Sequence, residues 1–410
     1  MAEYEAIERE YVESLEMQGI AFGERAGADA SARRRARVSA LVKKGVRSLN
    51  GGASLSCGFL SSACRACVGD CGSRTFYINL KCHRGCYFCF NPNQVDYERH
   101  LREDAPWRKA FEDFRAEVPV VTHVALTGGE PLLVKDKALD FLAMVHEEEP
   151  QAHVRLYTSG AFFDEDFARQ ASALGLDEIR FSVKLDEGDA SVKEVLAALT
   201  LAREFIPSVM VEMPVIPGQE EAMRGLLRRL DELEIDGVNL LEFCFPLHNW
   251  GEFAKRGFRI KNPPFEVLYN YQYAGALPVE GSDEACLDLL EFAMDEGLSL
   301  GVHYCTLANK NIDAVLQVNR RYDLDPALYE LGEDGFFHVA KVFDQDVAPV
   351  RAALASAGAP YLEDGDDGSI AFHARWTSVA ERAGAVPARS VLTIEESNGV
   401  PRLRELKLAG

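Results

Sequence analysis

The feature that most restricts the fold of this 410-residue chain is an alternation running from residue 74 to residue 243. Short apolar runs of strand length recur there, and stretches with helical spacing separate them. The runs are Thr75–Leu80, His123–Thr127, His153–Tyr157, Glu178–Lys184, Val209–Pro214 and Gly237–Phe243. Helical patterns cover 107–116, 136–147, 164–174, 189–204 and 219–234. Strands joined through crossover helices pair in parallel, because a tight hairpin cannot connect them. The pattern predicts an α/β fold, a partial (β/α)6 TIM-like barrel. In such barrels the chemistry gathers at the C-terminal ends of the strands.

Two motifs stand at those ends. After the first run comes Lys81-Cys-His-Arg-Gly-Cys-Tyr-Phe-Cys-Phe90, which sets Cys82, Cys86 and Cys89 at the spacing C-x-x-x-C-x-x-C. Three thiolates this close can reach one centre, and thiolates favour iron–sulfur clusters or zinc. Three ligands on a four-iron cluster leave one iron open to a small molecule. After the second run comes Gly128-Gly129-Glu130-Pro131. Glycines let a ligand approach the backbone, and a carboxylate beside them can take an ammonium group. Taken singly, the first motif also reads as a zinc site and the second as an ordinary turn.

Together they resemble the radical S-adenosylmethionine (SAM) superfamily, over roughly residues 74–245. The resemblance implies that Cys82, Cys86 and Cys89 hold a [4Fe–4S] cluster whose fourth iron is chelated by SAM. It implies reductive cleavage of SAM to methionine and a 5′-deoxyadenosyl radical, with an electron donor such as flavodoxin or ferredoxin. Phe88 would flank the adenine, and Gly128, Gly129, Glu130 and Pro131 would hold the methionyl group. Ser159 stands in Thr158-Ser159-Gly160, where the family often has Thr-Asn-Gly. Ser182 and Lys184 share one strand face and suit the ribose and carboxylate of SAM. Glu212 and Glu242 are candidates for the same chamber. Each of these softer positions also reads as a solvated or salt-bridged strand-end residue, Glu212 and Glu242 equally so.

A second cysteine set precedes the barrel: Cys57, Cys64, Cys67 and Cys71, in a segment rich in Gly and Ser. This spacing predicts a second metal centre, an auxiliary iron–sulfur cluster or a structural zinc. The remaining cysteines are Cys286, in a helical pattern at 283–296 and best read as core, and Cys244 and Cys305 at strand ends. Either of the last two could donate a hydrogen atom or ligate an auxiliary cluster.

Around the barrel the reading is coarser. Residues 1–54 form a helical extension with helices at 3–20 and 31–49, 55–73 the Cys-rich segment, 74–330 the barrel and 331–410 a small α+β domain. Aromatic residues crowd 245–275, including Phe253, Phe258, Phe265, Tyr269, Tyr271 and Tyr273, as a substrate-covering excursion or as packing against the barrel. The last domain carries a strand at 336–343, a helix at 347–357 and hairpin turns at Asp366–Gly368 and Asn398–Gly399. No apolar run reaches bilayer length and the N-terminus is acidic, which reads as a cytoplasmic protein with reduced thiols. A net charge of −21 argues against nucleic acid as a partner. The function expected is hydrogen abstraction from a small or heterocyclic substrate. Activation of a glycyl-radical enzyme, maturation of a peptide, and a non-catalytic zinc or iron–sulfur protein are the alternatives.

Overall fold

The computed structural model describes residues 2–27, 29–269, 276–365, 367–397 and 400–409. It divides into two compact units, one of residues 23–261 and 273–310, the other of residues 1–22, 262–272 and 311–410.

The larger unit is built on one nine-stranded sheet. Its strands are β1 (Arg47–Leu49), β2 (Ser54–Cys57), β3 (Ser73–Tyr77), β4 (His123–Thr127), β5 (His153–Thr158), β6 (Glu178–Phe181), β7 (Ser208–Val215) and β8 (Gly237–Glu242), and it also takes in Gly301–Cys305. A separate two-stranded ladder pairs β9 (Cys244–Phe245) with β10 (Leu277–Pro278), so Gly301–Cys305 is β11. The spatial order is β1-β2-β11-β8-β7-β6-β5-β4-β3. Every neighbour from β3 through β8 to β11 is parallel, which bears out the α/β barrel expectation. Helices Trp107–Glu117, Lys135–Glu148, Glu165–Ala173, Asp189–Ala202 and Glu220–Glu232 intervene as the spacing predicts. Their apolar faces bury Phe111, Phe141, Phe167, Leu199 and Leu227 against Leu126, Leu156, Ile179, Val211 and Val238 of the strands.

The structure adds what the pattern did not carry. The strand expected to end near Cys305 joins the sheet as β11, a seventh parallel strand, and β2 and β1 extend the sheet antiparallel from residues read as an extension and a metal-binding segment. Only three and four residues long, these two have too little sequence to show a period. The aromatic excursion is partly packing: Phe253 is fully buried and stacks on Phe243 at 5.4 Å. Tyr271 and Tyr273 lie outside the described residues.

The smaller unit carries an antiparallel sheet of β12 (Glu330–Leu331), β13 (Phe337–Val342), β14 (Tyr361–Glu363), β15 (Ile370–Phe372), β16 (Ala388–Ser397) and β17 (Val400–Ala409). Helix Val347–Ser356 buries Val350 and Leu354 against Val342 and Phe372. The chain's first helix, Ala2–Glu16, packs on β17, where the Tyr4 hydroxyl donates to Glu405 at 2.8 Å. The two expected hairpin turns fall between β14 and β15 and between β16 and β17; Asp366, Asn398 and Gly399 lie outside the described residues.

Candidate active site

Alternate residues on the barrel strands face away from the helices, and in this unit they are polar. They are Arg155 and Tyr157 on β5, Glu178 and Arg180 on β6, Glu212 on β7, Asn239 on β8 and His303 on β11. Buried polar groups need partners: Glu178, Arg180, Glu212, Asn239 and His303 form one network, beside which Arg155 donates to the Tyr157 hydroxyl at 3.0 Å. Arg180 donates to Glu178 at 2.6 Å, to Glu212 at 2.7 Å and to Ser61 at 3.2 Å. Asn239 donates to Glu212 at 2.8 Å and accepts from His303 Nδ1 at 2.8 Å. Burial opposes ionisation of Glu178, but the Arg180 charge and hydrogen bonds outweigh it and bring its pKa down to about 2.

The Cys-rich segment runs beneath the N-terminal ends of these strands. Ser61 donates to Glu178 at 2.5 Å, and Ser62 meets His123 at 3.2 Å. A Cβ on Gly301 would stand 2.4 Å from the Phe59 carbonyl, so only glycine lets the segment pass there. From this floor the short helix Ser62–Ala66 turns Cys64 inward, where its Sγ accepts from Asn239 at 3.3 Å and Arg180 at 3.4 Å. Burial works against the thiolate, but Arg180 and His303 overcome it and lower the Cys64 pKa to about 7. Cys57 is half-buried on β2, and Cys67 and Cys71 are exposed.

The Cys82–Cys89 loop stands at the opposite end. Backbone bonds pin its approach to β4: Gly129 N donates to Asn79 O at 3.3 Å and Glu130 N to Lys81 O at 2.7 Å. A Cβ on Gly129 would lie 1.9 Å from the Lys81 carbonyl. The glycine pair therefore seats the cysteine loop as well as leaving room for a ligand. His248 Nε2 donates to Cys89 O at 2.7 Å, and Asn91 Nδ2 to Gly128 O at 2.8 Å. His248 follows β9 and carries no motif, so nothing in the sequence singled it out. Burial pushes the thiols of Cys82 and Cys89 up, and the neighbouring charges of Glu130 and Cys86 add to this at Cys82, those of Cys86 and Cys82 at Cys89. Thiols whose ionisation is opposed in this way, as at Cys82 and Cys89, form a donor set that a cation would stabilise, which fits the cluster the motif implies. Among the described residues, neither cysteine set is drawn together to metal-bonding distance.

The other expected residues are placed as follows. Glu130 is buried and accepts from Leu132 N at 3.1 Å, Thr158 Oγ1 at 2.7 Å, and both N and Oγ of Ser159 at 2.7 and 2.5 Å. Its carboxylate joins the ends of β4 and β5. Pro131 opens the short helix after it. Phe88 lies edge-on to Phe243 at 5.7 Å, with Lys184 Nζ 4.9 Å over its ring. Ser182 donates to the Glu212 carbonyl at 3.3 Å. Glu212 is engaged by Arg180 and Asn239, which hold its carboxyl below the usual value despite burial. Glu242 caps helix Leu307–Asn319 by accepting from Leu307 N at 2.8 Å. A cleft of about 340 Å³ beside the loop is lined by Cys86, Phe88, Lys184, Asp186, Asn249 and Arg256.

The sequence model of the radical SAM superfamily matches residues 77–230, from the end of β3 through the glycine pair to the last turn of helix Glu220–Glu232. This stretch is a radical SAM domain. The match covers less than half of the chain, and proteins of that superfamily are enzymes that work with a [4Fe–4S] cluster and SAM. A Methanocaldococcus jannaschii protein provisionally named a glycyl-radical enzyme activating enzyme is 28% identical over 270 residues, 64% of this chain and 66% of that one. The GTP 3′,8-cyclase of Nautilia profundicola is 28% identical over 180 residues, 43% of this chain and 51% of that one. The chain thus spans two thirds or less of the length of these curated relatives. Among solved structures, methylornithine synthase aligns with a TM-score of 0.38 and 13% identity, over 69% of this chain and 94% of that one. Among the described residues no helix is long and apolar enough to cross a membrane.

Proposed function

We propose that this radical SAM enzyme abstracts a hydrogen atom from a small-molecule or heterocyclic substrate held over the C-terminal ends of its strands. Cys82, Cys86 and Cys89 would hold the [4Fe–4S] cluster, and Gly128, Gly129, Ser159, Ser182 and Lys184 would line the SAM site. When bound, cluster and SAM supply one electron and a 5′-deoxyadenosyl radical. The protein's part is orientation and exclusion of water. Lys184, stationed over Phe88, offers an ammonium to a carboxylate, and Phe88 offers an aromatic edge to a purine. Glu130 would act by fixing the ends of β4 and β5, since its oxygens already accept four hydrogen bonds. The observation that carries this reading is the backbone seating of the cysteine loop on the glycine pair. Anaerobically reconstituted protein given dithionite and SAM should release 5′-deoxyadenosine, and Cys86→Ala should release none. Intact SAM in the wild type overturns the reading.

A second reading, activation of a glycyl-radical enzyme, is favoured by the named M. jannaschii relative. Deuterium decides between them. Label reaching deoxyadenosine from a glycine-labelled protein supports activation, and label from a small substrate supports the first reading.

A further inference from the structure

The chain has ten cysteines, and the catalytic loop accounts for three. Four of the others approach one another from three separate segments, Cys64, Cys244 and Cys305 within the barrel and Cys67 at its exposed margin. Cys64 sits at the level of Asn239 on β8 and His303 on β11, which are register partners. Cys305 lies two residues beyond His303 on the same face of β11, opposite Leu241 of β8. Two residues along a strand advance about 7 Å, so Cys305 stands one step above Cys64. Cys67 caps the short helix three residues after Cys64, which brings it to the same helical face. Cys305 is within electrostatic reach of both Cys64 and Cys67. Cys244 opens β9 directly beyond β8, is buried, and is within electrostatic reach of Cys305. Lys310 lies close to both Cys244 and Cys305.

The sulfurs are also dressed with N–H donors. Asn239 Nδ2 and Arg180 Nη2 donate to Cys64, and Asn309 Nδ2 donates to Cys305 at 3.5 Å. Amide and guanidinium donors to sulfur stabilise ligating thiolates and tune the centre they hold. The other two cysteines of the N-terminal segment are directed elsewhere. Cys57 is paired in register with Val302 near the start of β11, at the floor, and Cys71 is exposed just before β3. A centre using Cys57, Cys64, Cys67 and Cys71 would have to pull Cys57 out of its strand or Cys64 off Arg180 and Asn239.

We infer that Cys64, Cys67, Cys244 and Cys305 are the ligands of a second, thiolate-held soft-metal centre at the margin of the barrel interior, an iron–sulfur cluster or zinc. Four thiolates suit either metal and exclude magnesium or calcium. The thiols stop short of bonding distance, as do those of the catalytic loop. The centre would reach from the level of Asn239, at Cys64, to the C-terminal ends of β8 and β11, at Cys244 and Cys305, across the sheet from the Cys82–Cys89 loop, which follows β3. It therefore borders the chamber and is not a remote structural staple.

The test is independent of the reaction proposed above, because it is run on the full chain with Cys82, Cys86 and Cys89 all changed to Ala. After anaerobic reconstitution with iron, sulfide and zinc, this variant should retain about two to four irons with matching sulfide, or about one zinc. Iron and zinc are the two forms of the same prediction, and metal analysis with electron paramagnetic resonance separates them. Adding Cys244→Ser and Cys305→Ser should lower the retained metal at least tenfold, whereas adding Cys57→Ser and Cys71→Ser should leave it. A buried cysteine outside the set, changed as Cys286→Ser, should also leave it and serves as the folding control. Cobalt added to the metal-free variant gives a second readout: Cys67→Ser, at an exposed position, should lower sulfur-to-cobalt absorption by about a quarter, one thiolate in four. Absence of metal in the triple variant, metal that departs with Cys57 and Cys71, or an unchanged cobalt spectrum in Cys67→Ser would each overturn the inference.

Discussion

Arg180 is the side chain on which the barrel interior depends. It is 4% exposed and donates to two carboxylates, the Ser61 hydroxyl and the Cys64 sulfur. Arg180→Met would strand Glu178 and Glu212 as buried, uncompensated charges, a loss of about 3–5 kcal/mol. Denaturant unfolding should show it, and Arg180→Lys should recover little, because an ammonium cannot reproduce the guanidinium fork. In metal-free protein Arg180→Met should also move the pH midpoint of Cys64 alkylation upward from about 7, since the positive charge that favours its thiolate is gone. Glu178 gives a second, pH-linked expectation. Its carboxyl titrates at about 2 in the fold against an ordinary 4.5. Below 4.5 the unfolded chain binds a proton that the folded chain refuses. The stability contributed by Glu178 is thus complete above pH 4.5 and is lost as pH falls toward 2. Urea midpoints across that window should steepen in the wild type and flatten in Glu178→Gln.

At the scale of elements, two glycines fix where loops pass. Gly129→Ala places a methyl group 1.9 Å from the Lys81 carbonyl, so the loop bearing Cys82 must shift. Iron incorporation at that loop should fall sharply while the thermal midpoint moves little, because the core beneath the helices is untouched. Gly301→Ala meets the Phe59 backbone at 2.4 Å, under the strands. It should cost about 1–3 kcal/mol as an overpacked contact, with the Cys82–Cys89 loop still able to take up iron. Had both substitutions the same phenotype, floor and mouth would not be separable. The six strands and their crossover helices were legible from period alone, because each buries its apolar positions locally against its own helix. The glycine pair was legible as a motif, but its contact with Lys81 was not, since proximity of two strand ends is a tertiary fact. The interior network was written as charged residues at alternate strand positions, Glu178 with Arg180 above all. Sequence alone could not say whether such residues face solvent or one another, and Glu212 in particular was readable either way.

For the whole molecule, linear order misleads about partnership. β1 and β2 belong to the barrel sheet, and the first helix belongs with β17. Neither pairing leaves a local trace, because the residues that explain it lie hundreds of positions away. Deleting residues 1–22 should expose amides of β17 to hydrogen exchange while those of β4 through β8 stay protected. Equal loss of protection in both would show that the division into two units is not energetic. The link between Tyr4 and Glu405 also bears on biosynthesis, because 401 residues separate them. At about 5–20 residues per second, a ribosome needs roughly 20–80 s to deliver β17 after the first helix has emerged. For that interval the helix has no strand to lie against, and a chaperone that shelters its apolar stripe would act on this chain earlier and longer than on one whose units are contiguous.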